Sequence, residues 1–133
     1  MKKSKLILIM ARKGSKDNVS RQNLRLVNEK PLIYYIISTA KKCQSADVFV
    51  STDSEELQEI AFLNNVEVIK RPKSLITDST TLEEISYHAL IELKKMNKKY
   101  EKCLVLHPKF PLIKVSTINR FFSQLNKQKK SFF

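Results

Sequence analysis

The chain is 133 residues long, 42% of them hydrophobic and 29% charged, with a formal net charge of +12. This length predicts one domain, and the hydrophobic share excludes an intrinsically disordered chain. The longest apolar run near the N-terminus, 6–11, is too short for a membrane span or a signal-peptide core. Cys43 and Cys103 lack metal-ligand spacing, so we expect a protein of the reducing cytoplasm.

The basic residues are mostly lysine: 20 of the 25 are lysines, spread along the chain, and five are arginines. Such lysines are typical of a solvated surface. A nucleic-acid partner is the alternative, but aromatic residues do not interleave with the basic ones. Four of the five arginines lie in predicted loops, and arginine suits fork-like contacts with phosphate and carboxylate. The single glycine, Gly14, also lies in a basic loop.

The hydrophobic pattern predicts four strands that alternate with four helices. The strands are short apolar runs bounded by polar loops, predicted at 5–10, 47–51, 66–69 and 102–107. The helices are predicted at 31–42, from Asp53 to about Asn64, from Thr80 or Thr81 through 93, and around 118–125. Asp53 is the predicted cap of the second helix, with Glu56 in the capping-box position. This alternation predicts a parallel sheet with helices on both faces.

In open sheets of this class, ligands bind outside the carboxyl ends of the strands. The first loop at that end, 11–28, carries cations at Arg12, Lys13, Lys16 and Arg21. Gly14 permits close backbone approach and Ser15 adds a hydroxyl donor, as a triphosphate cradle requires. The spacing matches neither the Walker motif nor the dinucleotide fingerprint. From the residues alone, phosphate binding and a merely solvated basic loop are both open.

Five segments of the chain carry motifs of one enzyme family. The first loop reads Ala-Arg-x-Gly-Ser-Lys with a following Asn, at 11–16 and Asn23. The others are Lys-Pro-Leu-Ile at 30–33, Val-Ser-Thr-Asp-x-Glu-Glu at 50–56, Arg-Pro-x-x-Leu-x-x-Asp at 71–78, and Leu-x-Pro-x-x-Pro-Leu at 106–112. In this order, across nearly the whole chain, they resemble the acylneuraminate cytidylyltransferases, the CMP-sialic acid synthetases and their relatives for legionaminic and pseudaminic acids.

The resemblance implies a doubly wound α/β fold of the nucleotide-diphospho-sugar transferase type, with sheet order 3-2-1-4. It implies one nucleotide-binding domain over 1–133, truncated after four βα units and lacking the C-terminal half of the family. The implied reaction transfers CMP from CTP to a sialic-acid-type (nonulosonic) sugar acid and releases pyrophosphate, with Mg²⁺ neutralising the phosphates. An inactive remnant of the family, or a basic nucleic-acid module, is the alternative.

The resemblance also implies roles for individual residues. The implied catalytic residues are Arg12, Lys16 and Arg21. The implied nucleotide-binding residues are Arg12, Gly14, Ser15, Lys16, Asn23, Arg71, Thr80 and Thr81. The implied sugar-acid residues are His107, Pro108 and Lys109. A purely structural role stays open for several of these: Thr80 and Thr81, like Asp53 and Asp78, suit helix capping, and His107 suits a half-buried strand end.

Some positions depart from the family pattern. Gln22 replaces the lysine that precedes the asparagine, and Arg21 is the substitute that we expect. His107, Lys109 and Phe110 replace neutral polar residues of the fourth loop, so we expect altered or lost sugar-acid recognition. The metal-binding aspartates and the dimerisation extension of the family belong to its missing half, so no metal ligand is assigned. The fourth strand would then form an open edge, which predicts self-association.

Overall fold

The computed structural model describes residues 4–11, 26–27, 29–75, 80–106 and 113–128. The strands in these ranges are β1 (Lys5–Met10), β2 (Leu26–Val27), β3 (Lys30–Pro31), β4 (Ala46–Thr52), β5 (Glu67–Lys70) and β6 (Lys102–Leu106). The helices are α1 (Leu32–Lys41), α2 (Glu55–Leu63), α3 (Leu82–Lys95) and α4 (Val115–Gln128), with a short 3₁₀ helix at Lys73–Leu75. None of these helices combines the length and apolar character that a membrane crossing requires.

Four of the strands form one parallel sheet in the order β5-β4-β1-β6. Since these are the third, second, first and fourth of the predicted strands, the predicted order 3-2-1-4 is confirmed. β1 lies inside the sheet, where Ile7 is in register with Val48 of β4 and Leu104 of β6. The chain builds outward from β1 through β4 to β5 and then returns to the other side of β1. The strand order therefore reverses between β1 and β6.

Helices cover both faces of this sheet, as the strand–helix alternation predicts. Successive β1 residues point to opposite faces: Ile7 and Ile9 pack with residues of α1, α2 and α4. Leu6 and Leu8 pack on the other face with Ala89 and Leu93 of α3. The four central residues of β1 have no exposed surface, which explains why an unbroken apolar run encodes this strand.

A short antiparallel hairpin lies at the end of the predicted loop 11–28 and reaches Pro31, where the first helix was predicted to begin. Val27 of β2 pairs with Lys30 of β3. Glu29, in the connection between them, has a φ of 67°, in the left-handed region that hairpin turns use. With only two residues each, these strands offer no alternating pattern to detect. The same holds for the 3₁₀ helix after β5, a single turn inside a predicted loop.

The predicted N-cap of α2 is wrong by one residue. The cap is Ser54, whose hydroxyl oxygen accepts a hydrogen bond from the Leu57 amide at 3.3 Å. Ser54 donates its own N–H to the Thr52 side chain at 3.1 Å, and this short turn sets the helix start at Glu55 rather than earlier. The third residue after Ser54 is Leu57, which carries no carboxylate, so the observed cap of α2 does not close a capping box.

Candidate functional site

The carboxyl ends of the four parallel strands meet at one edge of the sheet, here called the carboxyl edge. It is formed where β1, β4, β5 and β6 end, at Met10, Thr52, Lys70 and Leu106. All four loops that the sequence places at strand ends leave from this edge, since the strands are parallel. This is the edge at which open α/β sheets bind ligands.

At this edge, β1 and β6 are hydrogen-bonded neighbours, with Ile9 in register with Leu106. The basic first loop follows β1, and the loop of Pro108 and Pro111 follows β6. Most of the predicted site residues belong to these two loops and lie outside the described residues: Arg12, Gly14, Ser15, Lys16, Arg21, Asn23, His107, Pro108 and Lys109. The roles implied for them therefore stay predictions, as does that of Asp78.

Arg71 is the predicted site residue that the structure defines best. Its side chain is buried at the carboxyl edge, with 4% of the residue surface exposed. Its Nε donates to Ser51 Oγ at 3.2 Å, and its Nη2 donates to the Ser51 carbonyl at 2.9 Å and the Ala11 carbonyl at 3.5 Å. Its Nη1 donates to the Leu75 carbonyl at 3.4 Å. The guanidinium thus joins the ends of β1 and β4 to the loop after β5.

Three buried hydroxyl residues lie at and just after the end of β4, and one of them, Ser51, contacts this guanidinium. Ser51 and Thr52 have no exposed surface, and Ser54 has 4%. Backbone hydrogen bonds knit the same region, because Ala11 donates to the Ser51 carbonyl at 3.0 Å and Arg71 to the Thr52 carbonyl at 2.9 Å. Sequence reasoning missed Ser51 and Ser54 as structural parts of the edge. Their only sequence signal is their place in the Val-Ser-Thr-Asp-Ser segment that ends β4.

The two predicted threonines lie at the start of α3, which also begins on the carboxyl edge. Thr81 is the N-cap: its hydroxyl accepts from the Glu84 amide at 3.1 Å, and its own amide donates to Glu84 Oε1 at 3.2 Å. The capping role that the sequence left open is therefore real for Thr81. Thr80 is partly buried beside it. A contact of either with the cytosine stays a prediction.

The part of the chain that the structure describes contains no group of three or more His, Cys, Asp or Glu side chains placed to hold a metal ion. Asp53 lies at the carboxyl edge without two further ligands of these types in the described ranges. The described residues also form two surface clefts away from the Arg71 contacts. One, of about 790 Å³, lies between α2 and β5, and one, of about 240 Å³, lies where β4 and β5 begin.

Comparison with known proteins agrees with the motifs and the fold. The chain matches the family model described as cytidylyltransferase over residues 6–133. It is 34% identical over 107 residues to N-acylneuraminate cytidylyltransferase of Escherichia coli, an alignment covering 80% of this chain and 24% of that protein. It is 31% identical over 115 residues to CMP-N,N'-diacetyllegionaminic acid synthase of Legionella pneumophila, covering 85% of this chain and 49% of that protein.

A solved structure with the same fold is CMP:2-keto-3-deoxy-manno-octonic acid synthetase complexed with CTP. The TM-score is 0.75 at 16% sequence identity, and the match covers 93% of this chain and 48% of that chain. At this identity the likeness concerns the fold alone. The chain therefore spans between about a quarter and about half of the length of these three proteins.

Proposed function

The chain belongs to the cytidylyltransferase family, and on that premise we propose that it binds CTP at the carboxyl edge of its sheet. The resemblance found in the five sequence segments agrees with this family assignment. The substrates, the reaction and the site residues of this chain belong to the proposal.

The observation that carries the proposal is the pairing of β1 with β6 at the point where the strand order reverses. A parallel sheet opens a crevice at such a point. The sequence that follows Ala11 there is Arg-Lys-Gly-Ser-Lys. Cations, a glycine and a serine hydroxyl suit a polyanionic triphosphate, because charge-assisted hydrogen bonds to phosphate are about twice as strong as neutral ones.

The proposed reaction transfers CMP to a nonulosonic acid. A hydroxyl oxygen of the acid forms a new bond to the α-phosphorus of CTP and releases its proton to solvent. The bond from that phosphorus to the bridging oxygen of the β-phosphate breaks, and pyrophosphate leaves. Arg12, Ser15 and Lys16 hold the triphosphate, and their charge and hydrogen bonds stabilise the transition state, with Arg21 nearby in the same loop. The names of the sialic-acid and legionaminic-acid relatives support this substrate class.

The other proposed contacts follow the family pattern. Gly14 allows the backbone to approach the phosphates. Asn23, Arg71, Thr80 and Thr81 serve the nucleoside, and His107, Pro108 and Lys109 face the sugar acid. Magnesium supplies charge neutralisation at the phosphates when it is bound. No ligand for it is assigned among the described residues.

A second candidate function is nucleotide binding without catalysis. It is favoured by His107, Lys109 and Phe110, which replace neutral polar residues in the fourth loop of the family pattern. The two candidates share the CTP site and differ in pyrophosphate release from CTP and a nonulosonic acid. That assay separates them once CTP binding has been measured.

Isothermal titration calorimetry of CTP into the purified chain tests the proposed site. We expect saturable binding of CTP, and a loss of about 1–3 kcal/mol of binding free energy in Arg12→Ala if that guanidinium contacts a phosphate. Arg120→Ala is the matched control, because it removes the same charge from an exposed position on α4. No binding by the wild-type chain, or equal losses in both variants, contradicts the proposal.

A further inference from the structure

We propose that Ser51 is a positioning residue for the nucleotide site: it fixes the orientation of Arg71 and the exit of β1 at the same time. The inference rests on the proposed function in one respect, because it takes the loop after β1 and Arg71 to serve the nucleotide. Ser51 belongs to none of the residues that the sequence motifs assign to the site.

The contacts of Ser51 connect three strand ends. Its hydroxyl oxygen accepts from Arg71 Nε at 3.2 Å, and its carbonyl oxygen accepts from Arg71 Nη2 at 2.9 Å. The same carbonyl accepts from the amide of Ala11 at 3.0 Å. Ser51 therefore joins the end of its own strand, β4, to the first residue after β1 and to the first residue after β5.

Two-point contact defines the direction of the guanidinium. A guanidinium is a rigid planar fork, so holding Nε and Nη2 on one residue fixes both the position and the plane of the group. The further contacts of the guanidinium, to the Ala11 and Leu75 carbonyls, are longer at 3.5 and 3.4 Å, so the contacts to Ser51 define its direction most closely. The contact to the Ser51 hydroxyl is the one that the residue type supplies, because an alanine would keep the carbonyl and lose the hydroxyl.

Burial makes these contacts costly to lose. With 4% of its surface exposed, Arg71 has little access to water that would replace a missing acceptor, and Ser51 has no exposed surface. A buried charged group that loses a hydrogen bond bears the full desolvation penalty of that donor. Removing the hydroxyl should therefore shift Arg71 to other orientations and loosen the strand ends that it joins.

Ser51→Ala tests the inference, with Ser86→Ala as the matched control. Ser86 is also a buried serine, with 3% of its surface exposed, but it lies on α3. We expect CTP affinity to fall roughly tenfold in Ser51→Ala. That fold-change corresponds to the loss of one charge-assisted hydrogen bond between Arg71 and the nucleotide. In Ser86→Ala we expect the affinity to stay within about twofold.

A second measurement does not depend on CTP. In nitrogen-15 NMR spectra of the free chain, the Arg71 Nε–H should exchange slowly with water in the wild type and at least tenfold faster in Ser51→Ala. A purely structural role of Ser51 would lower the melting temperature without changing this exchange, and that result overturns the inference. Unchanged exchange together with unchanged affinity overturns it too. If the wild-type chain does not bind CTP and exchange is still faster in Ser51→Ala, the Ser51–Arg71 coupling stands and the proposed function is refuted instead.

Discussion

Hydroxyl side chains set the first residue of α2 and of α3. Ser54 and Thr81 each accept a hydrogen bond from the amide three residues later. For α3 the capping-box pattern Thr-x-x-Glu fits both Thr80 with Glu83 and Thr81 with Glu84, and the structure selects Thr81. For α2 the same pattern fits Asp53 and Glu56, yet the turn between Thr52 and Ser54 selects the next residue. A local pattern cannot choose between adjacent candidates when a tertiary turn decides.

The capping box of α3 gives a stability prediction with an internal control. Glu84→Ala removes the carboxylate that accepts from the Thr81 amide, whereas Glu83→Ala removes a neighbouring carboxylate from the same exposed turn. Both lose a charge near a helix N-terminus. We expect Glu84→Ala to cost about 0.5–1 kcal/mol more than Glu83→Ala in urea denaturation. Equal losses of unfolding free energy in the two variants would mean that the capping box adds nothing beyond the charge of the carboxylate.

Cys103 illustrates what burial does to a titratable group. It is 7% exposed in β6, and burial raises the pKa of its thiol to about 12. The thiolate is the reactive form, so this cysteine is inert at neutral pH. Burial likewise raises the pKa of Cys43, an effect that the charge of Lys5 partly offsets.

The raised pKa of Cys103 predicts how stability depends on pH. Above about pH 9 the unfolded chain loses a proton that the folded chain keeps until about pH 12. The folded state therefore loses about 1.4 kcal/mol of stability per pH unit in that window through this group. In urea denaturation between pH 8 and 10.5, the stability advantage of the wild type over Cys103→Ala should shrink as the pH rises. A constant difference would contradict the shift.

At the scale of elements, how well the sequence predicts structure depends on length and burial. β1 was predicted at its observed bounds because a strand buried on both faces is an unbroken apolar run. β5 was predicted one residue too early, because the exposed charged residues at its two ends, Glu67 and Lys70, do not belong to an apolar run. The hairpin of β2 and β3 was missed because strands of two residues are too short to show an alternation of apolar and polar residues. At the candidate site, the motifs indicated Arg71, but its bonding to Ser51 depends on packing between distant segments.

β6 offers a prediction about association. Within the described residues it pairs with β1 alone, and its other edge has no strand partner. Residues 103–106, backbone included, are 3–7% exposed, so the part of this strand that another chain could reach is narrow. Such edges pair with other chains. We expect concentration-dependent self-association in analytical ultracentrifugation, strengthened by salt, because salt screens the repulsion between chains of charge +12.

Amide exchange gives the matching local measurement for this edge. The outward-facing amides among residues 103–106 should exchange quickly in dilute solution and become protected as the concentration rises. A stable monomer at all concentrations, with slow exchange along the whole of 103–106, would show that the edge is covered.

At the scale of the whole molecule, the two ends of the sheet carry different side chains and contacts. The end opposite the carboxyl edge holds a hydrogen bond of 2.6 Å between the Tyr100 hydroxyl and Asp47, which ties β6 to the start of β4. The carboxyl edge gathers the buried hydroxyls and Arg71. The net charge of +12 attracts any polyanion over long range, so it speeds the arrival of a triphosphate without selecting it. In the proposed function, the loops at the carboxyl edge select the nucleotide.

The most direct measurement is a CTP titration followed by amide shifts in nitrogen-15 NMR spectra of the whole chain. Binding at the carboxyl edge predicts saturable shifts at Ala11, Ser51–Ser54, Arg71 and Thr80, and none of comparable size at Ala46, Asp47, Tyr100 or Glu101 at the opposite end. An unrelated single-stranded oligonucleotide at physiological salt should not reproduce them. Saturable shifts centred on the opposite end, or no saturable shift at all, would contradict a nucleotide site at the carboxyl edge.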